Sequence, residues 1–263
     1  MLRARIIPSL LIDQNGDCVQ TKKFNSRRYI GDILNNVRIF NEKQVDELII
    51  LDIEATKNNV KPNYALIEKL ANESRMPFCY GGGVKNIEQM RSIVELGAEK
   101  IAISSSAIYD SQLITKAANI FGAQSIVVVL DIRKKRFSNG YEVVVNNGKI
   151  FTGFSPEDLI ERSISRGAGE IVINSYDNDG MRRGYDLNFI KTIKNKYQIP
   201  FTFLGGADDL NSILELWKNI GIVGAAAGSM FTLKGKYRAV LIQYPSLEEK
   251  KQLYKNLNNL ESH

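Results

Sequence analysis

Residues 77–83 read Pro-Phe-Cys-Tyr-Gly-Gly-Gly, and residues 200–206 read Pro-Phe-Thr-Phe-Leu-Gly-Gly. The two stretches begin 123 residues apart, and the same offset separates Glu47-Leu-Ile-Ile from Glu170-Ile-Val-Ile. A repeated offset indicates internal duplication, in which one structural unit occurs twice along the chain. The sequence therefore predicts a fold built from two similar halves.

Eight short apolar runs alternate with segments of helical period along the chain. Runs such as Glu47-Leu-Ile-Ile-Leu are apolar almost throughout, which is typical of parallel strands buried on both faces. A strand followed by a helix eight times predicts one (β/α)8 barrel over residues 1–263. The predicted strands are 5–12, 47–53, 77–80, 100–104, 125–131, 170–174, 200–204 and 222–226. The predicted half-barrels are about 1–122 and 123–245, and a helical tail follows at 246–263.

Two predicted loops are longer than the usual connection between a strand and a helix. One spans residues 13–28 and the other 133–152. The second contains Asn139-Gly140 and Asn147-Gly148, which are turn signals that predict a small hairpin. Both loops follow strands, so they are predicted on the catalytic rim as mobile lids, or else as tolerated surface insertions.

Composition and charge argue against several classes of protein. The net charge is +6, but the basic residues are scattered, so the sequence argues against nucleic-acid binding. No segment has the apolar length of a signal peptide or a membrane span. Two cysteines, Cys18 and Cys79, are too few for a disulfide framework, which favours a cytoplasmic protein.

Glycine and serine clusters follow four of the predicted strands. Glycine lets the backbone approach a ligand, and backbone N–H groups at the start of a helix attract phosphate. Their matching positions in the two halves predict two anion pockets at one rim, and hence a ligand with two phosphate-like ends. The predicted phosphate-binding residues are Gly82, Gly83, Ser104, Ser105, Asp177, Gly180, Gly205, Gly206, Gly228 and Ser229.

A carboxylate ends the fifth predicted strand. Asp131 follows an apolar run, where a charge is costly unless it acts as an acid, a base or a charge partner. Its counterpart in the first half is Leu11, which can transfer no proton. The one histidine is the terminal His263, so we predict neither histidine catalysis nor a metal site, and no cofactor. Asp52, Asp177 and Asp179 are further rim acids, with helix capping and turn formation as the alternative roles.

Four charged residues lie at the opposite ends of the predicted strands. Arg5, Glu47, Lys100 and Glu170, here called the floor ring, provide two charges of each sign. They predict a salt-bridged plug for the barrel floor, whose role is either stability or function.

Several motifs resemble the HisF-type cyclase subunit of imidazole glycerol phosphate synthase, over nearly the whole chain. The motifs are Arg5-Ile-Ile-Pro, Asp46-Glu-Leu-Ile-Ile-Leu-Asp52, Tyr80-Gly-Gly-Gly-Val, Gly169-Glu-Ile, Asp177-Asn-Asp-Gly180, Gly184-Tyr-Asp186 and Gly205-Gly-Ala207. The resemblance implies a barrel that takes ammonia from a glutaminase docked on its floor and uses it on a bisphosphorylated ribonucleotide at the rim. By this resemblance the floor ring matches the charged gate through which ammonia enters.

The chain departs from that family's pattern at the catalytic pair, which is one aspartate ending the first strand and one ending the fifth. Asp131 matches the second aspartate, but Leu11 replaces the first. Loss of one member of an acid–base pair costs about 10² to 10⁴ in rate, so the resemblance implies weak cyclase turnover. Ser104, Ser105 and Gln20 also replace residues typical of the family's anion site.

Other motifs resemble a divergent branch, the WbuZ-type proteins associated with glycosyl amidation in surface-polysaccharide synthesis. They are Pro8-Ser-Leu-Leu, Thr21-Lys-Lys-Phe24 and Tyr237-Arg-Ala-Val-Leu-Ile-Gln-Tyr-Pro245. This resemblance implies a HisH-like glutaminase and a separate ATP-dependent N-acetyl sugar amidotransferase as partners. Ammonia would then convert an acetamido group of a nucleotide sugar into an acetamidino group.

Three functions remain open from the sequence. The first is an ammonia-conducting, glutaminase-activating barrel of a sugar amidation system. The second is a genuine cyclase of histidine biosynthesis, in which Asp13 or another rim acid replaces the missing aspartate. The third is a regulatory sensor that has retained phosphate recognition.

Overall fold

Eight parallel strands close into a barrel with helices around it, which confirms the predicted fold. The computed structural model describes residues 4–136, 138–193 and 195–261, so His263 lies outside the described residues. The strands are β1 (Arg5–Ile12), β2 (Asp17–Gln20), β3 (Arg28–Asp32), β4 (Leu48–Asp52), β5 (Phe78–Gly81), β6 (Lys100–Ile103), β7 (Ile126–Lys134), β8 (Tyr141–Val145), β9 (Ile150–Phe151), β10 (Glu170–Ser175), β11 (Phe201–Leu204), β12 (Gly224–Ala227), β13 (Leu233–Lys234) and β14 (Ala239–Val240).

The barrel runs in the order β1, β4, β5, β6, β7, β10, β11, β12 and returns to β1. Each of these neighbouring pairs is parallel. The helices are α1 (Ile33–Glu42), α2 (Tyr64–Glu73), α3 (Ile87–Glu95), α4 (Ser105–Tyr109), α5 (Gln112–Phe121), α6 (Pro156–Ser165), α7 (Leu187–Ile193), α8 (Leu210–Ile220), α9 (Ser229–Thr232) and α10 (Leu247–Glu261), and a short 3₁₀ helix spans Ala123–Ser125.

Helix starts follow from the capping residues that the sequence supplies. Asn86 accepts a hydrogen bond from the backbone N–H of Gln89 at the start of α3. Ser155 does the same for Asp158 at the start of α6, where Pro156 occupies the first turn. The apolar faces of these helices pack on the outer faces of the strands, so each barrel strand is buried on both sides.

Two insertions extend the rim, one after the first barrel strand of each half. Residues predicted as a loop at 13–28 form β2, which pairs antiparallel with β1 and with β3. The hairpin predicted in 133–152 is present, since β8 pairs antiparallel with β7 and with β9. The prediction missed β2 and β3 because both strands are short and mixed in polarity.

The C-terminal helix α10 closes against the barrel floor. Lys250 donates to Asp46 at 2.7 Å, and the Asp46 carboxylate also accepts from the backbone N–H of Ile6. Tyr254 stacks on Trp217 of α8. In the described part of the chain, no helix combines the length and hydropathy needed to cross a lipid bilayer.

Candidate functional site

The floor ring is closed by four ion pairs. Arg5 starts β1, Glu47 precedes β4, Lys100 starts β6 and Glu170 starts β10, so all four side chains meet at the same end of the barrel. Arg5 binds Glu47 at 2.5 Å and Glu170 at 2.7 Å. Lys100 binds the same two carboxylates at 2.6 and 2.8 Å. Each carboxylate therefore bridges both cations, as the sequence predicted for a plug.

The ring keeps its charges although it is largely buried. Burial alone would lower the pKa of Lys100 and of Arg5, but the neighbouring Glu170 and Glu47 raise both above their ordinary values. Burial would raise the pKa of Glu170, but Arg5 and Lys100 hold it below the usual range. The O–H of Thr202 also donates to Glu170 at 2.5 Å. The pKa shifts of Arg5, Lys100 and Glu170 therefore all favour the charged form.

The barrel interior above the ring is apolar. The buried cluster there consists of Ile7, Ile49, Cys79, Ala102, Val127, Val129, Val172, Leu204 and Ala226, with Leu51 packed against it. Burial raises the pKa of the Cys79 thiol well above its ordinary value, so this side chain is neutral. The interior therefore separates the charged floor from the opposite rim with uncharged groups.

A pocket of about 510 Å³ opens at the C-terminal ends of the strands, which is a typical size for a small-molecule site. Thirteen of the site candidates named from the sequence line it: Leu11, Asp52, Gly82, Gly83, Ser104, Ser105, Asp131, Asp179, Gly180, Gly205, Gly206, Gly228 and Ser229. Asp177 is not in the lining, because its carboxylate accepts from the backbone N–H of Lys134 at 2.9 Å. The predicted phosphate residues of both halves thus face one pocket, apart from Asp177.

Asp131 is a titratable group of the pocket wall. Asn174 on the neighbouring β10 donates its side-chain N–H to Asp131 at 2.9 Å. The pKa of Asp131 is raised to about 7, because the effect of burial, with a contribution from the charge of Asp179, outweighs the hydrogen bond from Asn174, which lowers it. At neutral pH the carboxyl group can therefore both accept and donate a proton.

Leu11 occupies the matching position at the end of the first strand. It lies in register with Leu51 of β4, and both side chains line the pocket. Asp13 does not replace the missing carboxylate, since it accepts from the backbone N–H groups of Asn15 and Asp17 and lies outside the lining. At this position the first half of the wall is apolar, whereas the second half carries an acid.

Asp179 holds an insertion over the pocket. Its carboxylate accepts from the hydroxyl of Thr21 at 2.8 Å and from the backbone N–H of Phe24 at 3.1 Å. Burial raises its pKa. The sequence motif placed Asp177 and Asp179 in one loop but contained no signal for which of them faces the pocket.

Two glycines are required by the surrounding chain. Gly82 has φ +118°, and a Cβ there would lie 2.3 Å from the carbonyl oxygen of Asp52. Gly206 has φ +104°, and a Cβ would lie 2.2 Å from the carbonyl oxygen of Gly184. Their backbones are therefore in contact with neighbouring loops and also border the pocket.

The second insertion crosses the mouth of the pocket. Asn147, at the turn between β8 and β9, donates to the carbonyl oxygen of Ile53 at 3.0 Å. Arg133 lies over the rings of Phe151 and Tyr176, at 5.3 and 5.0 Å from their centroids. The β8–β9 hairpin thus has the position that a lid needs.

The polar lining residues that sequence reasoning did not assign to the site include the buried Ser9, Gln20 and Asn174. Ser9 and Asn174 could have been found from the two-residue period of strands, because they point inward with Arg5 and Glu170 of the same strands. Gln20 was noticed as a departure from the resembled family, but its place in the wall depends on β2, which was not predicted.

Comparisons with known proteins agree with this architecture. The profile of the histidine biosynthesis protein family matches residues 5–238. A Leptospira interrogans protein, provisionally named imidazole glycerol phosphate synthase subunit HisF, is 51% identical over 254 residues, which cover 97% of this chain and 100% of the relative. A Clostridium botulinum protein named imidazole glycerol phosphate synthase subunit HisF is 36% identical, covering 89% of this chain and 92% of the relative.

A Vibrio vulnificus protein provisionally named subunit hisF3 of the same synthase is 46% identical, covering 96% of each chain. These names refer to imidazole glycerol phosphate synthase, and none refers to sugar amidation. They therefore favour the second of the three hypotheses over the first. By its profile match and its relatives, the chain belongs to the histidine biosynthesis family and, within it, to the HisF group.

Proposed function

We propose that this chain is the ammonia-accepting synthase subunit of an imidazole glycerol phosphate synthase and works with a HisH-type glutaminase. The main support for the proposal is the floor ring. It closes the barrel end opposite the pocket through ion pairs, which can separate to let a small molecule pass. The names of the relatives support the same reaction.

Ammonia would enter where the glutaminase docks, on the floor face. Lys100 and Arg5 each bind both carboxylates, so when one cation is displaced Glu47 and Glu170 remain paired with the other. Beyond the ring, the apolar interior disfavours an ammonium ion, which would lose its hydration without gaining a partner. The neutral NH₃ molecule crosses such an interior at lower cost and retains the lone pair that makes it a nucleophile.

At the rim, Asp131 would act on the incoming nitrogen. As the new N–C bond forms at an electrophilic carbon of the acceptor, the nitrogen acquires positive charge and gives a proton to the Asp131 carboxylate. The same carboxyl group then returns the proton to the departing oxygen. A pKa near 7 suits both directions of transfer.

The phosphate groups of the acceptor would bind the glycine and serine turns. Backbone N–H groups and hydroxyls from both halves border the pocket, in agreement with a ligand that has two anionic ends. The proposed contacts are Gly82, Gly83, Ser104 and Ser105 in the first half and Gly180, Gly205, Gly206, Gly228 and Ser229 in the second.

The test is reconstitution with a HisH-type glutaminase from the same organism. We expect the chain to increase glutamine hydrolysis and to form imidazole glycerol phosphate from either glutamine or added ammonium. Lys100→Met should reduce the glutamine-dependent reaction while the ammonium-dependent one persists. Lys116→Met, at an exposed position of α5, is the matched control. Unchanged glutamine hydrolysis in the presence of the chain would refute the proposal.

A second candidate is the amidation of a nucleotide sugar together with an ATP-dependent N-acetyl sugar amidotransferase, as the WbuZ-type resemblance implies. The observation that favours it is the apolar Leu11–Leu51 pair, since ammonia delivery needs the ring and the interior but no second acid. This candidate predicts that the complex stimulates glutamine hydrolysis but forms no imidazole glycerol phosphate from either nitrogen source.

A further inference from the structure

We propose that Tyr244, Asp46 and Lys250 seal the barrel wall between β1 and β4 and thereby position the floor ring for ammonia transfer. These three residues, here called the floor clamp, lie outside the pocket and are therefore positioning residues. The inference rests on the proposed function for its role in ammonia transfer. The seal itself is a property of the barrel, which can be measured without a glutaminase.

The first observation is that side chains join β1 and β4 at the floor. The backbone pairing of the two strands begins at Ser9 and Ile49. Closer to the floor, the backbone N–H of Ile6 donates to the carboxylate of Asp46 at 3.0 Å. The carbonyl oxygen of Ile6 accepts from the hydroxyl of Tyr244 at 2.8 Å. Both backbone groups of Ile6 thus bind side chains, so this part of the wall depends on the floor clamp.

The second observation is that one hydroxyl holds both sides of the seam. Tyr244 donates to Ile6 on β1 and accepts from the backbone N–H of Asp46, just before β4, at 3.2 Å. Burial and the charge of Asp46 raise the pKa of Tyr244, so the hydroxyl retains the proton that it donates. Tyr244 therefore fixes the spacing of two segments that are 40 residues apart in the chain.

The third observation is a buried ion pair that orients Asp46. The ammonium group of Lys250, on α10, donates to one oxygen of the Asp46 carboxylate at 2.7 Å, and the other oxygen accepts from Ile6. The same ammonium group lies 5.2 Å from the centre of the Tyr244 ring. Lys250 is buried, so its removal would leave the carboxylate without its cation. The helix α10 thus keeps Asp46 directed at β1.

The fourth observation is the position of the floor clamp beside the floor ring. Ile6 follows Arg5 in the chain, and Asp46 precedes Glu47. Arg5 binds Glu47 on the inside of the barrel, whereas Ile6 packs in the outer core beneath the helices. When Arg5 and Glu47 separate to let ammonia pass, the clamp still holds the two strands together. Ammonia then continues into the apolar interior and does not escape through the wall.

The seal is tested by the reactivity of Cys79 in the full-length chain. Cys79 lies in register with Lys100 of the floor ring, belongs to the interior cluster and is 1% exposed. A small neutral thiol reagent, methyl methanethiosulfonate, labels it at a rate set by how often the interior opens. Tyr244→Phe removes both hydrogen bonds of the hydroxyl. We expect it to speed the labelling of Cys79 by about two- to tenfold, the effect of one hydrogen bond on an opening equilibrium.

The chain supplies two controls for this measurement. Cys18 is buried on β2, outside the interior cluster, so its labelling reports a general loosening of the fold and should stay unchanged. Tyr197→Phe removes a hydroxyl that donates to Glu161, ahead of β11 at the same end of the barrel. This matched variant should label both cysteines at the wild-type rates. Peptide mapping by mass spectrometry distinguishes the two cysteines.

The role in ammonia transfer is tested in the complex with a HisH-type glutaminase. Tyr244→Phe should lower the imidazole glycerol phosphate formed per glutamine hydrolysed by at least about twofold, because ammonia escapes through the opened seam. The ammonium-dependent rate should stay unchanged, since the floor clamp lies outside the pocket. A merely structural defect would lower both rates together. Lys250→Met should give the same split between the two nitrogen sources.

Unchanged labelling of Cys79 in Tyr244→Phe, an equal rise at Cys18, or a parallel loss of the glutamine- and ammonium-dependent rates would each overturn the floor clamp. A wild-type chain that leaves glutamine hydrolysis unchanged would instead remove the proposed function. Faster labelling of Cys79 alone in Tyr244→Phe would then still support the seal, so the two failures are distinguishable.

Discussion

The two predicted halves of the barrel differ in chemistry at matched positions of the rim. In the second half Asp131 lies in register with Asn174, and in the first half Leu11 lies in register with Leu51. The offsets between counterparts are 120 and 123 residues, the same as those of the repeat itself. The second half, which presents a hydrogen-bonded acid at this position, is here called the polar half. The first half, which presents two leucines there, is called the apolar half.

At the barrel floor, unlike at the rim, the two halves carry the same charged residue. Glu47 and Glu170 are counterparts at the offset of 123, and both halves retain the carboxylate. Each is bound by Arg5 and Lys100, so its charge is compensated where it is buried. At the rim, Asp131 has an amide as its hydrogen-bond partner and a pKa raised by burial. At the floor, where cations bind it, a buried acid is present in both halves. At the rim, where its partner is an amide, the buried acid is present in one half.

The largest effect is expected from Asp131→Asn, which removes the acid from the polar half. Ammonium-dependent formation of imidazole glycerol phosphate should fall by about 10² to 10⁴, the usual contribution of a positioned acid or base. Asp13→Asn is the control, because Asp13 holds a turn outside the pocket. A variant that retains more than about a tenth of the rate would show that the polar half is not the reacting one.

The next effect is a gain of function in the apolar half. The double variant Leu11→Asp with Leu51→Asn copies the polar pair, and we expect ammonium-dependent turnover to rise at least about tenfold, toward the lower range of acid–base catalysis. Leu11→Asn with Leu51→Asn has the same polarity and size but no carboxyl group. Equal rates for the two double variants would mean that the missing acid does not limit the reaction.

The barrel itself was readable from the sequence because its strands are parallel and buried on both faces. Such strands give continuous apolar runs, and each predicted run lies within a few residues of a barrel strand. The floor ring was found for the same reason, since Arg5, Lys100 and Glu170 each begin an apolar run. The hairpin at 133–152 was predicted from its Asn-Gly turns.

The rest of the site depends on contacts that run between distant segments. Asp179 faces the pocket and Asp177 does not, because the first binds Thr21 of the other half and the second binds Lys134. These partners are far away along the chain, so the local motif could not distinguish the two acids. Gln20 reaches Gly228 through β2, a strand of four residues with no clear alternation.

A smaller effect is expected on stability, as a consequence of the pKa of Asp131. An aspartate has a pKa of about 3.9 in the unfolded chain, and the value here is about 7. Below pH 4 both states are protonated. Between pH 4 and 7 only the unfolded state ionises, so the wild type loses stability as the pH rises, and above pH 7 the loss is complete.

Asp131→Asn lacks this ionisation. Its stability advantage over the wild type in urea unfolding should grow from near zero at pH 3 to about 4 kcal/mol at pH 8. An advantage that does not change with pH would contradict a raised pKa at Asp131. The pKa of Asp131 would then be that of an exposed aspartate.

The smallest effect is expected from Asn174→Leu, which tests the hydrogen bond between Asn174 and Asp131. Asn174 donates to Asp131, and this hydrogen bond favours the ionised carboxylate. Asn174→Leu places at this position the residue type of its counterpart, Leu51. The substitution should raise the pKa of Asp131 above its value of about 7. The titration is followed by ¹³C NMR of the aspartate carboxyl carbon, with Leu51→Asn as the control that leaves the Asp131 hydrogen bond in place. A midpoint that stays constant or falls in Asn174→Leu would show that the amide does not stabilise the ionised carboxylate. The raised pKa of Asp131 would then not depend on this hydrogen bond.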